Sequence, residues 1–191
     1  WKQLQKEYKD KYDMSWIGQY GFNNTYALIV REEAAKKYNL TKTSQLAEVS
    51  DELVFGGNSD YIERKDGFHL LCDTYGLKFK DVKDIDIGLK YEALKKGDID
   101  VSNGFTTDAQ LSNDNVRVLE DDKHLQVNYF CSNVVRNDTL KSHPGLEEAI
   151  MKLDNSITDK EMASLNYKVE VEGKEDVQVA KDYLTEKGII K

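Results

Sequence analysis

Phe22-Asn23-Asn24-Thr25-Tyr26-Ala27-Leu28-Ile29-Val30 joins a short loop of small polar residues, flanked by aromatic rings, to an apolar run of buried-strand character. The pairing recurs at Leu53-Val54-Phe55, which stops in Gly56-Gly57-Asn58-Ser59-Asp60-Tyr61. It recurs again at Asp98-Ile99-Asp100-Val101, which leads to Gly104-Phe105-Thr106-Thr107-Asp108. Loops at strand ends are where α/β proteins place ligands, so strands gathered in one sheet bring residues from Asn23 to Asp108 to a shared crevice.

Helical stretches separate these runs. Glu32 to Tyr38 reads as a short helix, Thr43 as the cap of a helix carrying Leu46 and Val49, and Phe68 to Tyr75 as a helix closed by Gly76. Leu77-Lys78-Phe79 with Val82 predicts a strand, Leu89 to Lys96 a helix ended by Gly97, and Thr107 to about Ser112 a further helix. Val116 to Leu119 and Tyr129 to Val135 supply two more strands. Beyond them the chain is helical: Pro144 suits the first turn of a helix to Leu153, Thr158 and Glu161 form a capping box, and Val177 to Lys187 is amphipathic before Gly188. Strands alternating with helices imply an α/β fold with a mainly parallel sheet covered on both faces.

The 191 residues are 39% hydrophobic, enough for one domain or two small lobes. A formal charge of −8 argues against nucleic acid, because duplex binding needs clustered Lys and Arg to neutralise phosphates. Mixed-sign stretches such as Lys2 to Lys11 read as solvated helix faces. No run approaches the length of a membrane span. The chain opens on helix-like sequence at Trp1, without a leader, which predicts a fragment of a longer polypeptide. Cys72 and Cys131 lack metal or redox spacing and read as buried thiols.

His69, His124 and His143 stand in no zinc-like pair and beside no nucleophile motif, and Gly56-Gly57-Asn58-Ser59 lacks the spacing of a nucleotide loop. The sequence therefore predicts a binding protein without enzymatic activity, cofactor or metal. Asn23, Asn24 and Thr25 offer donors and acceptors, or hold a turn with their own side chains. Arg64, less than two helical turns past Ser59-Asp60-Tyr61, reads either as a carboxylate receptor near a helix N-terminus or as a surface ion pair with Glu63 or Asp66. Phe105, Thr106, Thr107 and Asp108 form the third loop, with Asp108 either capping its helix or facing a cation. Tyr129 reads either as a ring that attracts a quaternary ammonium or as a core aromatic at a strand end, while Phe130 reads as packing.

Taken in order, Gly21 to Leu28, Tyr61 to Gly67, Gly88 to Leu94, Phe105 to Asp108, Val118 to His124 and Leu165 to Val169 resemble the substrate-binding proteins of osmoprotectant ABC importers, the glycine betaine/carnitine/choline type. A similar domain, fused to its permease, belongs to the bacterial ergothioneine importer. The resemblance implies a type II periplasmic-binding-protein fold of two lobes, with much of the first lobe missing from this fragment. Residues 1–23 would then be a remnant of the first lobe with a crossing segment, 24–126 the second lobe, and 127–191 the return strand and C-terminal helices of the first.

It further implies capture of a small zwitterionic quaternary-ammonium ligand for an ABC permease subunit or fused permease domain, at the extracytoplasmic face of a bacterial membrane. Ligand contacts would come from Asn23, Asn24, Tyr61, Arg64, Phe105, Thr106, Thr107, Asp108 and Tyr129. A ligand-sensing effector domain of a regulator with the same fold is the alternative. The chain departs from the resemblance at Gln126-Val127-Asn128, where relatives commonly carry Pro-Pro before the tyrosine, and at Phe105, often Tyr. These departures, with Asn23, Arg64 and Asp108, are compatible with a larger polar ligand such as ergothioneine.

Overall fold

A computed structural model, which describes residues 1–112 and 115–191, divides the chain into two units, Trp1–Asn24 with Tyr129–Lys191 and Thr25–Asn128. The first unit opens with α1 (Lys2–Tyr12) and β1 (Met14–Ile17). The second begins with β2 (Tyr26–Arg31) and α2 (Glu32–Lys37), then 3-10 turns at Thr43–Glu48 and Ser50–Glu52. It continues through β3 (Val54–Gly57), α3 (Ser59–Glu63), α4 (Phe68–Tyr75), β4 (Asp81–Asp84) and α5 (Lys90–Lys96). It closes with β5 (Val101–Phe105), a 3-10 turn at Ala109–Ser112, and β6 (Val116–Leu119). The chain then returns to the first unit as β7 (Asn133–Arg136), α6 (Asn137–Ser142), α7 (Leu146–Met151), α8 (Asp159–Glu170) and α9 (Asp176–Glu186).

The second unit is built on a five-stranded sheet in the order β4-β3-β5-β2-β6. Unbroken apolar sequence makes β2 a central strand, buried at every position from Ala27 to Val30. Alternation splits its side chains between two cores. Leu28 and Val30 join Phe55, Tyr61, Leu71, Tyr75 and Val101 on one face, while Ile29 joins Ala93, Leu94 and Ile99 on the other.

The expected mainly parallel sheet is corrected to a mixed one: β3 runs parallel to β4 and β5, but β2 is antiparallel to both β5 and β6. An apolar run specifies burial on two faces; it carries no information on the direction of its partners. The strand expected at Leu77 to Phe79 forms later, as β4, whose exposed Asp81, Lys83 and Asp84 blunt a sheet edge that would otherwise pair with another chain. Thr43 is not a cap. It is buried, and its hydroxyl donates to the Glu120 carbonyl at 3.0 Å, while Gln45 Oε1 accepts from the backbone N–H groups of Thr41 and Lys42.

In the first unit β1 and β7 form an antiparallel pair, Met14 opposite Arg136 and Ile17 opposite Asn133. The strand expected from Tyr129 is therefore shorter: residues 129–132 precede it, and Phe130 makes only an isolated bridge to Asn23. Tyr8 packs edge-on against Trp16, with ring centroids 5.2 Å apart, and so ties α1 to β1. The capping box at the start of α8 is present, with Thr158 Oγ1 accepting from Glu161 N and Glu161 Oε2 from Thr158 N. Cys72 and Cys131 are free thiols, both half-buried. Among the described residues no helix is long and apolar enough to cross a membrane.

Candidate ligand-binding site

Antiparallel register brings the first and third polar loops of the second unit side by side. Tyr26 lies opposite Phe105, and their rings stack with centroids 4.9 Å apart and planes 23° from parallel. Tyr61, carried on α3, meets Tyr26 at 5.1 Å, and behind it Phe55 stacks at 6.3 Å. Tyr61 is 3% exposed, and this burial, with Tyr26 alongside, pushes its phenol far above the ordinary range, so the hydroxyl stays protonated. Tyr26 and Phe105 are half-buried. The result is a pair of aromatic faces at the ends of β2 and β5, backed by buried rings.

The turn that follows β5 is held from below. Asp108 Oδ2 accepts from the Tyr91 hydroxyl at 2.6 Å, the Phe105 N–H at 3.0 Å and the Lys90 ammonium at 3.3 Å. Lys90 is 5% exposed, and its Nζ lies 5.9 Å from the Phe105 ring centroid. The Asp108 carboxylate thus closes the 105–108 turn by accepting from the preceding Phe105 N–H, and the cation it faces is the chain's own buried Lys90. Gly104 makes this approach feasible, because a Cβ there would stand 2.1 Å from Ile29 Cδ1 and 3.0 Å from both Asp108 Oδ2 and the Tyr91 hydroxyl. Thr106 returns to the first loop, its N–H donating to the Thr25 carbonyl at 3.0 Å and its Oγ1 accepting from Thr25 N at 3.3 Å. Thr107 is buried.

Arg64 stands apart from its expected place. It is the residue after α3 rather than near that helix's N-terminus, and it grips Asp66 with two bonds, Nε to Oδ1 at 2.9 Å and Nη2 to Oδ2 at 2.8 Å. The guanidinium holds the Asp66 carboxyl below its usual range. Half of the Arg64 side chain is exposed, so this ion pair is open to exchange with another carboxylate.

A second clamp orders the segment before Tyr129. Asp121 accepts from Leu125 N at 3.0 Å and Gln126 N at 2.7 Å and from the Tyr75 hydroxyl, which itself accepts from Lys123 N at 2.9 Å. The Thr25 hydroxyl donates to the Val127 carbonyl at 2.7 Å.

In the first unit Asn23 acts on backbone. Its Oδ1 accepts from Tyr129 N at 2.6 Å, and its own N–H donates to Asp159 Oδ1 at 2.6 Å. Asn24 N donates to the Tyr129 carbonyl at 3.2 Å. These bonds present the Tyr129 ring at 54% exposure, and Phe130, expected to pack, is 43% exposed because its strand pairing is a single bridge.

Sequence reasoning thus passed over Tyr26, Lys90 and Tyr91 as parts of this constellation. It also passed over Asn103, a buried residue two positions before Phe105. Tyr26 was signalled by its place at the loop-to-strand junction; the other three become visible only through register and packing. Among the described residues no cluster of His, Cys, Asp or Glu is arranged to hold a metal.

An α/β unit whose strand ends gather aromatic faces and backbone donors defines a small-molecule-binding domain of the type II periplasmic-binding-protein kind. Residues 1–186 match the family model described as the substrate binding domain of an ABC-type glycine betaine transport system, and the chain belongs to that family. It is 38% identical over 186 residues to the ergothioneine transport permease/ergothioneine binding protein EgtU of Helicobacter pylori (strain G27), covering 97% of this chain and 34% of that protein. It is 36% identical over 182 residues to the carnitine transport binding protein OpuCC of Listeria monocytogenes serotype 1/2a (strain 10403S), covering 95% of this chain and 59% of that one. A crystal structure of a glycine betaine/carnitine/choline ABC transporter superposes with a TM-score of 0.90 at 38% identity, over 97% of this chain and 68% of that structure. The chain therefore spans between about a third and three fifths of the curated relatives it matches.

Proposed function

We propose that this chain captures a trimethylammonium betaine, such as ergothioneine, carnitine or glycine betaine, and delivers it to an ABC permease. The single observation that carries the reading is the stacked Tyr26–Phe105 pair backed by Tyr61, in a member of the betaine-binding family. A quaternary ammonium donates no hydrogen bond, so it is recognised by aromatic faces that replace its water while their quadrupoles balance its charge. Phe105 and Tyr26 supply such faces in the second unit; the exposed Tyr129 ring of the first unit is a face of the same chemical kind.

The ligand's carboxylate needs a cationic fork. Arg64 fills that role by exchanging Asp66 for the ligand. Thr106 and Thr107 take the remaining polar atoms, with Asp108 fixing the turn beneath them and Asn23 and Asn24 fixing the backbone of Tyr129. Binding and release involve no bond making, which agrees with relatives named as transport binding proteins. The reading places the domain at the extracytoplasmic face of a bacterial membrane, either lipid-anchored or fused to its permease.

A thermal-shift panel of glycine betaine, carnitine, choline, proline betaine and ergothioneine tests it, since a ligand that binds only the folded state raises the melting point by mass action. At least one betaine should raise it in a concentration-dependent way. With Arg64→Ala, binding of carboxylate-free choline should suffer less than binding of the betaines. No shift with any of the five would sink the reading.

A further inference from the structure

Asn103 carries a polar atom that the fold leaves unused. Its side chain is 3% exposed, yet Oδ1 has no hydrogen-bond partner among the described residues. Burying an amide oxygen without a donor is unfavourable, and native proteins tolerate it where something else supplies the donor.

The position of this atom says what that donor belongs to. In the β2–β5 ladder Asn103 lies opposite Leu28, two pairs along from Tyr26 opposite Phe105. Residues two apart on a strand share a face, so the amide lies on the same face as the stacked Tyr26 and Phe105 rings, beside the buried Phe55 and Tyr61. Gly57, at the end of β3, keeps the oxygen approachable: a Cβ there would stand 3.0 Å from Asn103 Oδ1 and 2.8 Å from the Phe55 ring. The sheet thus presents two aromatic faces and, next to them, a hydrogen-bond acceptor desolvated in advance.

From this juxtaposition we infer that Asn103 is a specificity residue of the proposed betaine site, selecting trimethylammonium ligands that also carry an O–H or N–H donor. The inference rests on the proposed function and sharpens it. The onium head is recognised by the rings, and Asn103 Oδ1 reads a donor elsewhere on the ligand. Carnitine and choline offer a hydroxyl and ergothioneine a ring N–H, whereas glycine betaine offers neither. A site holding glycine betaine leaves the oxygen orphaned, and that penalty is what separates the two ligand classes.

Calorimetry on the intact protein with ergothioneine, carnitine, choline and glycine betaine decides the matter. The tightest ligand should be a donor-bearing one. Asn103→Leu, which replaces the amide by an apolar group of similar size, should weaken that ligand by about tenfold and glycine betaine by about twofold or less. Asn103→Asp, which keeps an acceptor, should restore the preference. Equal losses for both classes, or glycine betaine as the tightest ligand, would overturn the inference while leaving betaine capture standing. Absence of binding by all four would remove the proposed function and the inference with it. Should the leucine variant fail to fold, the preferred ligand methylated on its donor atom replaces it as a probe of the unaltered protein. Unchanged affinity for that probe overturns the role of Asn103.

Discussion

The two units reach stability by different routes. The unit Thr25–Asn128 closes cores on both faces of its sheet, with Ile29, Phe55, Leu94 and Val101 fully buried. The unit made of Trp1–Asn24 and Tyr129–Lys191 buries Ile17, Ala163 and Val179, and leaves Tyr12, Val134, Met151 and Val177 exposed. Beside α8 and α9 it also holds an apolar cavity of about 340 Å³, lined by Leu153, Met162, Leu165 and Leu184 among others. Its order rests on local devices: the capping box, the Glu161–Lys187 ion pair, and the hydrogen bonds of Asn23. Hydrophobic burial grows with area, whereas caps and exposed ion pairs contribute small fixed amounts. The contrast teaches that Phe105 and Tyr61 stand on a rigid base in the second unit, while the Tyr129 ring is positioned by a few polar contacts.

Phe55→Ala should break the contrast most severely. It removes the ring that packs on Tyr61, Phe68 and Phe79 and costs about 3–5 kcal/mol by the large-to-small rule. Both tryptophans, Trp1 and Trp16, lie in the first unit, so their fluorescence follows that unit during denaturation, while far-UV circular dichroism follows the whole. The dichroism midpoint should fall further than the tryptophan midpoint. Identical shifts would mean that the units unfold as one.

A smaller effect is expected from Gly104→Ala. The added methyl meets Ile29, Asp108 and Tyr91, and overpacking of this kind costs about 1–3 kcal/mol. Because the strain falls beneath Phe105, ligand affinity measured by calorimetry should drop alongside stability. Tyr129→Ala should separate the two properties. Its ring is more than half exposed, so the melting point without ligand should hold while betaine affinity weakens by about 1–2 kcal/mol. Unchanged affinity would remove Tyr129 from the site.

The smallest effect concerns acid. The Lys187 ammonium, with the Thr158 N–H and hydroxyl, holds the Glu161 carboxyl down at about 2 against an ordinary 4.5. A carboxyl lowered by folding stabilises the native state fully above its unfolded value. That contribution is lost as pH falls from about 4.5 toward 2. Solvent exposure keeps it modest. Stability followed by tryptophan fluorescence should lose part of its slope in this window in Glu161→Gln. An unchanged slope would show that the ion pair contributes nothing to the first unit.

Much of the architecture was legible because its signals are local. Gly76 and Gly97 end α4 and α5 in the left-handed conformation, and Thr158 with Glu161 starts α8. What escaped depends on partners distant in sequence. The antiparallel pairing of β2 follows from register across the sheet, which a solid apolar run leaves open. Val101-Ser102-Asn103-Gly104-Phe105 reads as a strand running out into a loop, since Ser, Asn and Gly have low strand propensity. Burial between β2 and β3 makes it β5 instead. For the same reason the burial of Asn103 beside the Tyr26–Phe105 pair carried no sequence signal, while the Arg64–Asp66 ion pair was one of the two readings that the sequence left open. The clustering of Phe105, Tyr61 and Asp108 around Tyr26 was legible because rings and small polar residues recur beside strand ends.

The Asp121 clamp has a kinetic corollary. Residues 121–128 contain no proline and no regular strand, so amide protons there would ordinarily exchange with solvent within seconds. The N–H groups of Leu125 and Gln126 instead donate to one carboxylate, and that of Lys123 to the phenol bonded to it. With the His124 N–H, which donates to the Asp121 carbonyl at 3.0 Å, these amides should form a four-residue island of slow deuterium uptake within a fast-exchanging stretch, a timer for the opening of the segment that leads to Tyr129.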